Sequence, residues 1–398
     1  MHSLTFHWVV LNWISGSILA LAWFSRIVEA FFGLPSIADI SRPEWDRRPA
    51  TSNGEPRVSI IVPARNEEES IRATLLQLLD LDYSNYEVIA INDRSTDNTG
   101  QKMDQVAASP EAHQLLKVIH ISDLPAGWLG KTHAMWTAGL AATGDWLLFT
   151  DADVLFKPDT LRRAIAYAEE ERADHVVLFP RMIMKRAGEK MMIAFFQALF
   201  VFGHRPWKVA DPKARDHMGV GAFNLVRRSV YDKVGTYRAL RMEVLDDMKL
   251  GKVIKNAGFA QRNVFGEDLI SLRWAKGAFG IVNNLTKNFF AVLSFEWPRT
   301  VGAIIGLGFL NLGPFLGIWL AHGWARVPYA IALGSLFLIY YGMSSRSAIP
   351  AYYFFLHPIS TSLFMYTLLL SMAHTFSNDG IVWRGTRYPL DELRKGMV

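Results

Sequence analysis

Three stretches in the last third of the chain constrain its fold more than anything else. Residues 300–320 and 327–345 contain no charged side chain, and in 351–372 only His357 titrates near neutrality. Each approaches the ~20 apolar residues that cross the hydrocarbon core of a bilayer. A fourth apolar run, 8–24, lies near the other end. Acidic residues are nearly missing from 1–34 and 289–377, whereas 57–276 has the mixed charge of a water-soluble domain. The expectation is a membrane protein with a soluble middle.

Arg26, Arg42, Arg47 and Arg48 follow the first apolar run, which has no basic leader. The positive-inside rule then puts Met1 outside and the middle domain in the cytoplasm, in a multi-pass protein of the cell (inner) membrane. A cleaved signal peptide is the other reading of that run. Three full crossings after the domain would leave the last residues outside, yet Arg384, Arg387, Arg394 and Lys395 favour the inside. Gly302, Gly306, Gly308, Gly313, Pro314 and Gly317 suit a broken or re-entrant segment, and a cytoplasmic tail packed near the active site is expected. The chain has no cysteine, which excludes disulfides, thiolate catalysis and thiolate zinc sites. A net charge of +5 suits an anionic membrane face and is too dispersed for nucleic acid.

Within the middle, apolar strand candidates 58–62, 87–92, 116–121, 146–150 and 175–179 alternate with helical candidates 67–81, 97–108, 131–142 and 159–171. That alternation predicts an α/β domain with a parallel sheet, whose ligands bind at the carboxyl ends of the strands. Those ends carry Arg65, Asn66, Asp93, Asp151 and Asp153. Alternate residues of an extended segment share a face, so Asp151 and Asp153 are expected to converge where the fourth strand stops. Paired carboxylates suit Mg²⁺ or Mn²⁺, with a substrate diphosphate completing the shell; an Asx-turn is the structural alternative. Asn66 with Glu69 has the spacing of a capping box, and Ser95 or Thr96 could cap the next helix. Lys131 opens a helix, where the dipole disfavours a cation; it either faces a phosphate or is solvated. The segment GWLGKT at 127–132 is not a P-loop, having two residues where that motif has four. No Gly-x-Gly-x-x-Gly follows the first strand.

The runs VSIIVPARNE (58–67), INDRSTDNT (91–99) and DAD (151–153) together resemble family 2 glycosyltransferases of the GT-A fold, over about 57–274. AGWLGK (126–131) and VWRGTRY (382–388) are more particularly similar to membrane-bound members that glycosylate lipids: the hopanoid- and carotenoid-associated groups and, more distantly, ceramide glucosyltransferases. The resemblance implies a GT-A (Rossmann-like) domain plus transmembrane α-helices, and a nucleotide sugar, expected to be a UDP-sugar. The loop Pro63, Ala64, Arg65, Asn66 and Glu67 would contact the nucleotide with Asp93, Lys131 would lie near its base or diphosphate, and Asp151 and Asp153 would hold the metal. Asp247 would be the catalytic base with Asp246 beside it, and Gly221 would lie in the loop (219–224) under donor sugar and acceptor. Simple acidity at a helix N-terminus is the other reading of the Asp pair. Polymerising relatives carry Gln-x-x-Arg-Trp; here Ile270 replaces the glutamine, while Arg273 and Trp274 remain. That argues for a single sugar transfer, with Arg273 at the leaving diphosphate and Trp274 on the acceptor, unless the two are an interfacial pair.

Apolar faces in 190–203 and 279–295 fit helices lying in the membrane interface, where a lipid hydroxyl could meet the site; buried core helices are the alternative. The expected layout is an anchor (1–34), a linker (35–56), the GT-A domain (57–278), an interfacial helix (279–296), membrane helices (297–375) and a basic tail (376–398). A polyprenyl-phosphate sugar transferase, a polysaccharide synthase and a non-enzymatic nucleotide-binding membrane scaffold are the competing functions.

Overall fold

The computed structural model describes residues 2–49, 54–112 and 114–398, with side chains from residue 7 onward. Its two compact units do not follow chain order. One comprises Met1–Ser36, Met184–Trp207 and Trp274–Ile381; the other comprises Ile37–Ile183, Lys208–Arg273 and Val382–Val398. In this division 184–207 and the residues from Trp274 go with the helical unit, while the expected linker from Ile37 and the tail from Val382 go with the soluble one.

The soluble unit is built on a seven-stranded sheet. Its strands are β1 (Val58–Ala64), β2 (Tyr86–Asp93), β3 (Leu116–Ile121), β4 (Trp146–Phe149), β5 (His175–Leu178), β6 (Asn224–Arg227) and β7 (Gln261–Val264), in the order β3-β2-β1-β4-β6-β5-β7. All residues of β1 are buried, as expected of a strand covered on both faces. It pairs in parallel with β2 from Val58↔Tyr86 to Ala64↔Asn92, and with β4 only as far as Ile61↔Phe149. Pro63, which has no N–H to donate, thus lies beyond the end of the β4 ladder. Helices α1 (Ile71–Leu79), α2 (Thr99–Ala107), α3 (Gly130–Ala141) and α4 (Thr160–Glu170) fill the crossovers. The wholly parallel sheet is a prediction to correct: β6 runs antiparallel to both β4 and β5. It carries only Leu225 and Val226 as an apolar core, too short a run to stand out in the sequence.

The capping expectations also need correcting. Helix α1 starts after Ser70 and α2 after Asn98, neither with a side-chain cap bond. Asn66 (φ 55°) instead ties two loops together: its Oδ1 accepts from the Thr96 N–H at 2.8 Å, and its own N–H donates to Ser95 Oγ at 3.0 Å.

Four helical stretches of the other unit, His7–Ser36, Trp297–Leu320, Gly323–Ser347 and Ala351–Ser377, are long and apolar enough to cross a membrane. Polar groups among them pair with one another, as an apolar surround favours: Ser15 with Tyr329 at 2.6 Å, and Tyr340–His357–Asn311 in a chain of 2.9 and 3.1 Å. Asn311 sits in a π-helical turn, Gly308–Leu312, that interrupts the glycine-rich stretch. The helices Ala187–Gly203 and Gly277–Val292 pack within this unit, the first through Phe195 and the second through Phe289, both against Phe364.

One buried histidine makes the soluble unit acid-sensitive. His175 is inaccessible to solvent; its Nδ1 accepts from Gln261 Nε2 (2.7 Å) and its Nε2–H donates to Asn224 Oδ1 (3.0 Å). Burial lowers its pKa from 6.5 to about 4. The unfolded chain therefore binds the extra proton first, and stability falls as pH drops from 6.5 towards 4. Linkage predicts about 2 kcal/mol less stability at pH 5 than at pH 7.5 from this group. Thermal unfolding at the two pH values should show that loss in the native chain and a smaller one in His175→Gln.

Candidate active site

The sheet brings four polar turns to one edge. After Phe149, β4 leaves the ladder and 151–153 form a turn rather than the extended segment expected, held by Thr74 Oγ1 donating to the buried Ala152 carbonyl at 2.9 Å. The turn still sets Asp151 and Asp153 within each other's field. Burial, then repulsion from Asp151 and Glu67, pushes the Asp153 carboxyl up to about 7.

Helix α5 (Asp246–Asn256) starts with the predicted acidic pair in its first turn, where the dipole favours anions. Asp247 accepts the Gly221 N–H at 2.8 Å on one oxygen and the Met248 N–H at 2.7 Å on the other. Burial raises its pKa, against Lys131 and those two N–H groups, which lower it. Lys131, in the first turn of α3, lies 2.8 Å from Asp151 and 3.6 Å from Asp246. Burial would lower its pKa, but Asp151, Asp246 and Asp247 outweigh that and keep it charged. The solvated-lysine reading is thereby corrected: this ammonium joins the strand-end carboxylates to the helix-end pair.

Glycines let these pieces close. A Cβ on Gly221 would lie 2.5 Å from Asp151 Oδ2, and one on Gly219 would enter the Asp247 carbonyl. Below the loop, Gln261 takes the Met218 N–H at 2.8 Å and donates to the carbonyls of Met218 and Gly251 at 3.1 and 3.2 Å. Asn224, at the end of the loop, is the residue His175 holds.

On the neighbouring strand ends, Asp93 is buried and receives both Nε (2.8 Å) and Nη2 (3.2 Å) of Arg94. A Cβ on Gly130 would strike the Asp93 carboxylate, so α3 starts directly on this pair. Arg65 Nε and His133 Nδ1 are buried without a hydrogen-bond partner among the described residues, donors and acceptors a ligand could satisfy. The His133 ring lies 5.4 Å from Trp128, which lies 5.0 Å from Trp136.

Of the predicted site residues, Glu67, Lys131, Asp151, Asp153, Gly221, Asp246 and Asp247 are thus brought into one electrostatic cluster, with Pro63–Asn66 and Asp93 on the adjoining strand ends. Arg273 closes the soluble unit's short strand Ile270–Leu272, in which Ile270 is buried. Trp274 packs its ring edge-on to Phe196 at 4.9 Å, within the helical unit. The sequence motifs assign no role to Arg94 or His133, nor to Arg384, which pairs with Glu67, and Tyr388, whose hydroxyl accepts the Gly130 N–H; Arg94 lies inside the INDRS run, and Arg384 and Tyr388 inside VWRGTRY.

No group of three or more His, Asp or Glu side chains among the described residues is arranged to hold a metal ion. Two carboxylates together with substrate phosphates are the usual Mg²⁺ arrangement, and burial, followed by the charges of Asp151 and Glu67, disfavours the ionised Asp153 that a cation would favour. The residues therefore fit a divalent ion bound together with a phosphorylated substrate.

Residues 59–247 match the family model described as glycosyl transferase family 2. The chain is 21% identical over 346 residues to a 4,4'-diaponeurosporenoate glycosyltransferase of Staphylococcus aureus, spanning 84% of this chain and 89% of that one. It is 23% identical over 253 residues to the protein of the same name from Staphylococcus haemolyticus, spanning 62% and 65%. In fold it is similar to a mannosyltransferase from Pyrobaculum calidifontis solved with GDP-Man and Mn²⁺, with a TM-score of 0.54, 20% identity, and coverage of 92% of this chain and 98% of that one.

The close approach of the 218–221 loop to α5 generates a prediction. Gly219→Ala should move Asp247 and cut sugar-transfer rate about 10²-fold, the usual cost of ångström-scale misplacement. Gly203→Ala, where nothing lies within 4 Å of the added carbon, should leave the rate unchanged in the same assay.

Proposed function

We propose that this chain, whose residues 59–247 match the family 2 glycosyltransferase model, carries out inverting, metal-assisted transfer of one sugar from a nucleotide sugar to a hydroxyl of a membrane lipid. The observation that carries it is the Lys131 bridge between Asp151 and Asp246, because it sets the proposed diphosphate side and the proposed base side of the site in one cluster.

In this reading the loop from Pro63 to Glu67, with Asp93, receives the nucleotide, which we take to be a uridine diphosphate. Asp93 has lone pairs beyond those engaged by Arg94. A divalent ion, Mg²⁺ or Mn²⁺, on Asp151 and Asp153 would neutralise charge growing on the departing diphosphate. Lys131 adds its own positive charge there, and Asp246 orients Lys131 from the other side. Asp247 takes the proton of the acceptor hydroxyl as its oxygen bonds to the anomeric carbon and the carbon–phosphate oxygen bond breaks. Burial makes Asp247 a stronger base than a surface aspartate. Displacement by the acceptor itself inverts the anomeric centre. Arg273 and Trp274 keep the roles proposed for them at the leaving group and the acceptor.

The Staphylococcus relatives are named for a carboxylate, 4,4'-diaponeurosporenoate; the proposal of a hydroxyl acceptor rests on the proposed base Asp247, which a carboxylate acceptor would not need. Ile270 is 1% exposed, which supports one transfer over polymer synthesis. The scaffold reading falls with the family match. We further propose that the soluble unit faces the cytoplasm of an inner-membrane protein. Because Lys208–Arg273 and Val382–Val398 both belong to that unit, an even number of crossings then separates Arg273 from Val382, so at least one of the three later spans is not a full crossing.

Two experiments test this. The reconstituted protein is given labelled UDP- and GDP-sugars, native lipid extract and Mn²⁺ or Mg²⁺. One glycolipid of inverted anomeric configuration should form, and Asp247→Asn should form it about 10³-fold more slowly; a long polymer, or full activity in Asp247→Asn, contradicts the reading. The cysteine-free chain also accepts single reporter cysteines. Ser122→Cys and Gly385→Cys should both react with an impermeant maleimide only from the cytoplasmic side, and opposite-side labelling of the two overturns the topology.

A further inference from the structure

Tyr388 and Arg384 lie on the last segment of the chain, yet both bind the strand-end loops. Trp383 and Thr386 flank a two-residue turn, Arg384 (φ 50°) and Gly385 (φ 77°), the left-handed pair that makes the tightest hairpin connection. From its tip the Arg384 guanidinium donates to the carbonyls of Arg65 and Asn66 and pairs with Glu67. Four residues on, the buried Tyr388 hydroxyl accepts the Gly130 N–H at 3.1 Å, at the start of the helix that carries Lys131. The same hydroxyl faces Arg94 as that guanidinium holds Asp93. Beyond the short helix Leu390–Lys395, Val398 binds Glu243 and Lys249 on either side of Asp246–Asp247. One segment thus touches the β1 loop, the β2 end, the start of α3 and the flank of α5.

We propose that Val382–Val398 is part of the sugar-donor site, and that Arg384 and Tyr388 are positioning residues that hold the three nucleotide loops in their donor-binding arrangement. This rests on the reading of Pro63–Glu67, Asp93 and Lys131 as the donor site. The ligand class is a nucleoside diphosphate. Arg384 offsets the negative charge of Glu67, and Tyr388 fixes the start of the helix that carries Lys131. Neither residue bonds to Asp246 or Asp247, so these two side chains affect donor affinity selectively.

The test uses the full chain in lipid nanodiscs, titrated with UDP and with GDP in the presence of Mn²⁺, for the native protein, Tyr388→Phe, Arg384→Ala and Arg384→Lys. Tyr388→Phe removes one oxygen and Arg384→Lys keeps the charge, so the fold is spared if Arg384→Ala proves unstable. Tyr388→Phe and Arg384→Ala should each raise the nucleotide Kd and donor KM about ten-fold, the effect of one lost hydrogen bond in a binding site. Acceptor KM and melting temperature should hold, and Arg384→Lys should recover part of the affinity. Native-like Kd in both Tyr388→Phe and Arg384→Ala overturns the inference alone, as does a joint loss of melting temperature and of both KM values in Tyr388→Phe. If the native protein itself binds neither nucleotide, the donor-site reading fails and takes this inference with it.

Discussion

A single ammonium group, Lys131, holds the site's opposing carboxylates together. Asp151 and Asp153 come from the end of β4, Asp246 and Asp247 from the start of α5, and Glu67 from the loop after β1. Left alone, so many partly buried carboxylates would repel or take up protons. Lys131 reaches Asp151 and Asp246 from a helix end whose dipole disfavours a cation, so the carboxylates must outweigh both the dipole and burial to keep it there. The negative charge that remains, felt most at Asp153, is what a divalent ion and its diphosphate would resolve. Electrostatic preorganisation of this kind is a large source of rate enhancement, because the charges are in place before the reaction begins.

Close backbone packing keeps those charges at fixed distances. Gly219, Gly221 and Gly251 let the 218–221 loop lie directly on Asp247 and on the Asp151 carboxylate. A buried amide and imidazole, Gln261 and His175, then tie that loop to β5, β6 and β7. Asp247 is oriented by two backbone N–H groups rather than by a flexible side chain. The antiparallel strand β6 returns the chain from that loop into the core beside β4, so the 218–221 loop and the 151–153 turn share a strand pair.

Much of this was readable from residues alone, for a physical reason. The strands are continuous apolar runs and the helices between them have regular length, so local periodicity announces β1 to β5 and α1 to α4. Asp151 and Asp153 follow because strand ends are where such side chains converge, whereas Asp246 and Asp247 stand out only through the resemblance to family 2 glycosyltransferases. What stayed hidden depends on contacts distant in sequence. The strand at 224–227 has two apolar residues and draws its identity from its neighbours. Residues 190–203 read as an interfacial or buried core helix from their apolar face, but that 184–207 pack with apolar helices far along the chain is a contact no local pattern contains. Asn66 has a helix-capping pattern, yet its side chain finds Thr96, thirty positions away. Arg384 and Tyr388 bind loops more than two hundred and fifty residues earlier, which no spacing rule reveals.

Metal-linked nucleotide binding tests the central claim most directly. Calorimetric titration of the native chain with UDP, with and without Mn²⁺, should give at least ten-fold tighter binding with the ion, and Asp151→Asn and Asp153→Asn should each abolish that gain. Equal affinity with and without Mn²⁺ in the native protein, or an undiminished gain in both variants, would contradict the assignment of these carboxylates as the metal's holders and of Lys131 as their resident counter-charge.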